Sequence, residues 1–383
     1  MMILLRVLIL FLVLLLLPDW YIYRSYIRRL KNNKMRRLYW LPSVVLLAGL
    51  LVFIAAGEAL HGCLGIYLVV ALCLSVPKAV FALLSLFLKG AGRLFRIQIP
   101  HGWISSFAAF ATFAYVLFGA VEGKEFFQVK EVEFVSPDLP EAFDGYRILQ
   151  LSDIHSGSWK GNGEAIRRAV EICNQQKADA IVFTGDLVNS RASELPEFMP
   201  LLSDLKADDG VFSIVGNHDY GTYVHWNSDA EREANFQKLI AEEKQMGWDV
   251  LLNEHRILRR GNDSIALVGV ENSGNPPFPD YADLPRALKG TEGLFKVLLS
   301  HDPTHWRRSV LPETDIQLML SGHTHDMQVS VFGFSASQFV YPEHRGMYLE
   351  EGRGLYVNVG LGFVLFPFRL GSWPEITVIT LRR

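Results

Sequence analysis

Residues 147–155 read RILQLSDIH: an apolar run of strand length, then Asp153 and, two positions on, His155. The same arrangement returns four times. Residues 180–186 (AIVFTGD) run into Asp186, 211–219 (VFSIVGNHD) into Asn217, His218 and Asp219, 295–302 (FKVLLSHD) into His301 and Asp302, and 316–325 (IQLMLSGHTH) into His323 and His325. Short runs rich in Val, Ile, Leu and Phe between turn residues read as buried strands, and 265–270 (IALVGV) adds one more. Between the first two runs Ile166, Ala169, Val170 and Cys173 recur at helical spacing, so helical crossovers join the strands and the domain is a layered α/β one. Ligands of such sheets gather beyond the carboxyl ends of strands. A single Asp-x-His or His-x-His is ordinary turn chemistry; five strand ends in succession carrying Asp, Asn or His are not.

Asp153, His155, Asp186, Asn217, His301, His323 and His325 together offer carboxylate, imidazole and amide oxygen. That mixture suits Mn, Fe or Zn better than the oxygen-only shells of Ca and Mg. The three cysteines, Cys63, Cys73 and Cys173, are unclustered, which argues against a structural zinc site and a disulfide framework; each reads as a small hydrophobe. Seven ligands exceed the shell of one ion. Two ions sharing a carboxylate use them all, and two divalent cations about 3.5–4 Å apart can activate water and steady the leaving oxygen of a phosphoryl displacement.

In this order, Asp-x-His, Gly-Asp, Gly-Asn-His-Asp, a lone His and Gly-His-x-His resemble the signature of the calcineurin-like metallophosphoesterases. The spacing agrees, with 33 residues from Asp153 to Asp186 and 31 from Asp186 to Asn217, and the resemblance covers residues 130–383. The flanks are similar to the YkuE-like branch, whose members are often membrane-associated. Leu139-Pro140 and Phe143-Asp144-Gly145-Tyr146-Arg147-Ile148 precede the first motif, and Gly354-Leu355-Tyr356, Gly360-Leu361-Gly362, Arg369 and Pro374-Glu375-Ile376 close the chain. That branch commonly reads Gly-His-Thr-His-Gly-Gly-Gln, whereas Asp326-Met327-Gln328 follow His325 here, so an altered loop is expected. The resemblance implies two mixed β-sheets sandwiched by helices. It also implies one divalent ion on Asp153, His155, Asp186 and His325, and a second on Asp186, Asn217, His301 and His323, with Asp186 bridging. His218 and Asp219 would be the catalytic pair, His218 facing the phosphate and Asp219 orienting its ring through a hydrogen bond.

The first third is of another kind. Half of the 383 residues are hydrophobic, and apolar stretches stand at 2–17, 40–57, 64–88 and 103–121, each near the roughly 20 residues that cross a bilayer core. Residues 1–122 therefore read as a multi-span α-helical membrane module with about four helices, and 123–383 as the α/β metallophosphoesterase domain. Trp20, Tyr21, Tyr23, Tyr39, Trp40 and Trp103 lie at stretch ends, as interfacial aromatics do. The first stretch has no small-residue cleavage site and reads as a retained span. Arg24, Arg28, Arg29, Lys31, Lys34, Arg36 and Arg37 crowd the first loop, and the loop at 58–62 has no Lys or Arg. Positive-inside bias then predicts an inner-membrane protein with its catalytic domain extracytoplasmic. Lys78 interrupts the third stretch; with no acid evident in the spans, it reads as a snorkelling or packing lysine.

Residues 1–122 carry twelve Lys/Arg against three Asp/Glu, and the remainder 25 against 37. An acidic head has no field to collect polyanions, which argues against nucleic acid. The expected partners are the membrane and a phosphorylated small-molecule or lipid-linked substrate. The aromatics of 220–248 (Tyr223, Trp226, Phe236, Trp248) and of 363–368 are candidates to border it, the former otherwise an amphipathic helix. His225, His255, His305 and His344 match no motif and read as surface or packing histidines. The leading expectation is a membrane-anchored, dinuclear phosphoesterase. The alternatives are a UDP-2,3-diacylglucosamine pyrophosphatase, which needs the opposite orientation, and a non-catalytic receptor or transport module.

Overall fold

All six apolar runs form strands. A computed structural model describes the backbone of residues 2–56 and 61–383 and the side chains of 12–55 and 63–383. In chain order the strands are β1 (Gln128–Val135), β2 (Arg147–Leu151), β3 (Ala180–Phe183), β4 (Val211–Ser213), β5 (Asp249–Val250), β6 (Glu254–Arg260), β7 (Asp263–Gly269), β8 (Phe295–Leu299), β9 (Leu318–Ser321), β10 (Gly346–Glu350), β11 (Arg353–Val357) and β12 (Glu375–Arg382). One sheet runs β1-β12-β2-β3-β4-β5, parallel except where β12 meets β2. The other runs β10-β11-β9-β8-β7-β6, parallel inside and antiparallel at both outer pairs.

Alternation along each strand builds the layers. Ile148, Val182 and Phe212 meet Leu267, Val297, Leu299 and Leu320 in the core between the sheets. Leu149, Leu151, Ile181 and Phe183 point the other way, onto Ile166, Ala169, Val170 and Cys173 of the helix Gly163–Gln175. Ala266, Val268, Leu298 and Met319 face Trp306 and Val310 on the far side. Both faces of the central strands are thus covered, which is why their sequences read as continuous apolar runs. Each buried Val, Leu, Ile, Phe or Met among them contributes roughly 1.5–3 kcal/mol by leaving water. Residues 220–248 hold the helix Asp229–Gln245, whose Ser228 caps the Glu231 amide and which buries Phe236, Leu239 and Ile240.

Two compact units emerge, Met1–Glu122 with Leu365–Phe368, and Gly123–Val364 with Arg369–Arg383. Among the described residues, three helices are long and apolar enough to cross a membrane: Asn33–Ala55, Cys63–Leu94 and His101–Val121. The expected first span belongs to the helix Met2–Ser25, but the side chains of 2–11 lie outside the described residues, as does most of the loop at 58–62. Lys78 requires a correction. Its Nζ lies 2.9 Å from Asp19 Oδ1, and Asp19 is fully buried. Ser43 Oγ donates to the other carboxylate oxygen, and Tyr39 donates to Oδ1 at 3.0 Å. The helix continues past Pro18 to Ser25, carrying Asp19 beyond the apolar stretch and opposite Lys78.

Candidate metal centre

The five strand ends converge, and their backbone is held in an unusual way. Asp153 (φ 52°), His155 (48°), Asp186 (61°), His323 (73°) and His325 (49°) all lie in the left-handed region, where a non-glycine residue costs about 1–2 kcal/mol. Strain of this kind persists only where the surroundings over-determine it, typically at functional sites. The glycines between strand and ligand allow close approach. A Cβ on Gly216 would fall on the Asp186 carboxylate, and one on Gly322 would fall on Ser152 and Asp153.

Two clusters of ligand atoms result: Asp153, His155 and His325, and Asp186, His301 and His323, each within 4.8 Å. His155 Nε2 lies 3.0 Å from His325 Nε2, which is 3.2 Å from Asp153 Oδ1. Asp186 Oδ2 stands 3.7 Å from His155 Nε2 and 3.2 Å from His301 Nε2, so one carboxylate faces both clusters. His301 Nδ1 donates to the Thr184 carbonyl at 2.7 Å, which turns the buried Nε2 toward the Asp186 carboxylate. Asn217 Oδ1 is buried and unpartnered, while its Nδ2 donates to Tyr223. His323 Nε2 is engaged by the Tyr341 hydroxyl at 3.0 Å, leaving Nδ1 for the cluster. Burial alone would lower the His301 pKa, but the Asp186 and Asp153 carboxylates override it and push it up to about 10. Buried lone pairs directed at one another, beside carboxylates that call for positive charge, fit divalent cations.

His218 borders this space. Its backbone N–H donates to Asp186 Oδ1 at 2.8 Å, and its ring stacks on Tyr223 (centroids 4.2 Å apart) and meets His155 edge-on. The expected role of Asp219 is not what the structure shows. The His218 ring is oriented by Nδ1 donating to the Asn189 carbonyl at 2.7 Å. Asp219 instead accepts backbone N–H groups of Asp186, Leu187, Val188 and Gly216, tying the loop after β3 to the loop after β4. Its carboxylate is consumed by amides and has no oxygen to spare for the ring.

Other neighbours of the centre come from segments that carry no ligand motif. Fully buried Arg369 directs Nη2 to His325 Nδ1 at 3.0 Å and otherwise donates to carbonyls, among them those of Gly360 and Gly362. Burial lowers its pKa to about 10. Phe278 meets His323 edge-on at 4.8 Å. Local spacing carries no signal for any of these, because each arrives from a distant segment. Asp326 (φ 48°) and Met327 (φ 49°) keep the left-handed backbone that glycines would supply, with Asp326 ion-paired to Arg345 at 3.2 Å. His225 is exposed, His255 bonds the Ala287 carbonyl, His305 meets Ser300, and His344 lies 3.9 Å from Asp326. Of the 363–368 aromatics, Phe363 and Phe368 are buried.

Residues 146–327 match the family model of the calcineurin-like phosphoesterases, and residues 5–124 match one described as a probable calcineurin-like phosphoesterase transmembrane domain. The metallophosphoesterase YkuE of Bacillus subtilis is 31% identical over 304 residues, 76% of this chain and 98% of that protein. The chain belongs to the calcineurin-like phosphoesterase family. A Danio rerio transmembrane protein with a metallophosphoesterase domain is 32% identical over 287 residues, 72% of this chain and 62% of that longer relative. The phosphopantetheinyl hydrolase PptH of Mycobacterium tuberculosis aligns with 56% of this chain and 89% of its own at 14% identity, with a TM-score of 0.35, too low to bear on function. This member of the metallophosphoesterase family is thus a membrane protein with two candidate metal clusters.

Proposed function

We propose that residues 1–122 anchor, and residues 123–383 constitute, a dinuclear hydrolase of phosphate esters or pyrophosphates. One divalent ion would be held by Asp153, His155, Asp186 and His325, the other by Asp186, Asn217, His301 and His323, with Mn, Fe and Zn the metals that suit these donors. The observation that carries this reading is the Asp186 carboxylate, which stands 3.2 Å from buried His301 Nε2 and 3.7 Å from His155 Nε2 and so faces both clusters. Bound cations would supply hydroxide near neutral pH and neutralise phosphoryl oxygens. The chain's own groups do the rest. His218, held through Nδ1, keeps Nε2 for a phosphoryl oxygen or the leaving group. Tyr223 accepts from Asn217 Nδ2 and so leaves the amide oxygen as the atom available to a metal. Burial and Asp186 push the Tyr223 phenol up to about 12, so it stays protonated and retains an O–H to donate.

Full-length protein in detergent, stripped with chelator and reloaded with Mn, Fe or Zn, tests this on bis-p-nitrophenyl phosphate and p-nitrophenyl phosphate. Hydrolysis that returns with about two metal equivalents is the expected result; metal uptake without turnover of any phosphate ester would refute it. The finer proposal is a lipid-linked phosphate ester or pyrophosphate, hydrolysed on the extracytoplasmic face of the inner membrane. Its support is the transmembrane region together with an acidic head that disfavours long polyanions.

A further inference from the structure

Residues 329–341 (VSVFGFSASQFVY) contain no charged residue, yet five large apolar side chains in this run are exposed: Val331, Phe332, Phe334, Phe339 and Val340. Phe332 is 106% exposed and Phe339 77%. At about 200 Å² for each fully exposed phenylalanine, the three rings alone show water several hundred Å² of apolar surface. Isolated exposed hydrophobes need no explanation, but a contiguous patch of this size marks an interaction surface.

The segment is built to hold this display. Val331 and Phe334 exchange backbone hydrogen bonds at 2.9 and 3.0 Å across a two-residue turn made by Phe332 (φ 51°) and Gly333 (φ 83°). Such turns favour Asn, Asp or Gly at the first position. A phenylalanine there accepts backbone strain and puts its ring at the tip. Below the turn, Arg345 donates to the Gly333 carbonyl and to Ser330 Oγ, Ser330 N–H donates to the Leu370 carbonyl, and Ser335 Oγ donates to the Asp326 carbonyl. Phe339 packs edge-on against Phe334.

We infer that the finger 331–340 inserts into the apolar margin of the lipid bilayer. The same chain carries membrane-crossing helices, so a bilayer is permanently tethered to it. The finger's uncharged, aromatic composition matches that medium and would be costly beside bulk water. The next residue, Tyr341, bonds His323 Nε2, so a single short segment runs from the proposed lipid contact to the metal clusters. Insertion does not depend on what the centre hydrolyses; delivery of a lipid-linked substrate rests on the function proposed above.

The test places a nitroxide at Phe332→Cys or Phe339→Cys in full-length protein with Cys63, Cys73 and Cys173 replaced by alanine, one copy per nanodisc of phosphatidylethanolamine and phosphatidylglycerol. Spin-label relaxation should show both sites more accessible to oxygen than to a water-soluble nickel complex, with a label at exposed Lys238 showing the reverse. Sites 332 and 339 as nickel-accessible as 238 would overturn insertion. So would protection from both reagents, the signature of a protein partner or a second copy. Separately, Phe332→Ser/Phe339→Ser should lower kcat/KM at least fivefold on a long-chain phospholipid ester and leave p-nitrophenyl phosphate turnover unchanged. Equal effects on both substrates, with insertion intact, would sink the lipid-linked reading alone.

Discussion

Asp186 presents one carboxylate to two histidines from opposite clusters, 3.7 Å from His155 and 3.2 Å from His301. Asp186→Asn should therefore empty most of the bound metal and take activity below about 1% of wild type. His218→Ala should lose about 100-fold or more in kcat while keeping its metal, since His218 acts on substrate. Elemental analysis beside a phosphodiester assay separates the two, and a metal-free His218→Ala would refute the division of roles. Glu243 gives a pH prediction. It is 1% exposed, Ser213 Oγ donates to one oxygen, and burial with the Asp219 carboxylate raises its pKa to about 8. The folded state thus binds a proton that the unfolded state, with its pKa of 4.5, releases, so stability falls as pH rises from 4.5 to 8. Glu243→Gln should nearly match wild type in thermal melts at pH 4.5 and exceed it by on the order of 4 kcal/mol at pH 8. A difference independent of pH would contradict the assignment. The candidate ligands could be read from sequence because each follows its own strand by two to four residues. The partners of His218 and His325 could not. Asn189 contributes only a carbonyl, which every residue has, and Arg369 lies 44 residues beyond His325.

At the scale of elements, strands β2, β3, β4, β7, β8 and β9 were legible because burial on both faces leaves unbroken apolar runs. The outer strands were not. β1 alternates through Lys130, Glu131 and Glu133, and its partner β12 arrives from the opposite end of the sequence. The membrane helices were legible from apolar length, but Asp19 was hidden because the apolar stretch ends at residue 17 whereas the helix runs on through Pro18 to Ser25. Asp19 and Lys78 now make a specific prediction. Lys78→Met leaves a fully buried carboxylate without its cation and should cost about 3 kcal/mol, read as a lower melting temperature of the full chain in detergent. Asp19→Asn/Lys78→Met removes both charges and should recover most of that loss. A double variant no better than Lys78→Met would mean that Lys78 acts through something other than this pair.

Over the whole molecule, charge is the feature that local patterns do not convey. A basic first third and an acidic remainder divide the chain near residue 122, and the seven basic residues of the first loop bias it toward the cytoplasm. With an extracytoplasmic terminus, alkaline phosphatase fused after Arg383 should be active and green fluorescent protein at the same position dark. The opposite pair of results would reverse the orientation and favour substrates made on the cytoplasmic face.

His155 and His325 touch across 170 residues of sequence, and Arg369 follows another 44 residues later. A ribosome moving at 5–20 residues per second needs roughly ten to thirty seconds to pass from one histidine to the other. No half-made chain can close this centre, so loading waits for the finished domain. Under the extracytoplasmic orientation proposed above, the available metals would be those of the receiving compartment. The natural metal would then be chosen by where the last strand finds its place as much as by the donors that hold it.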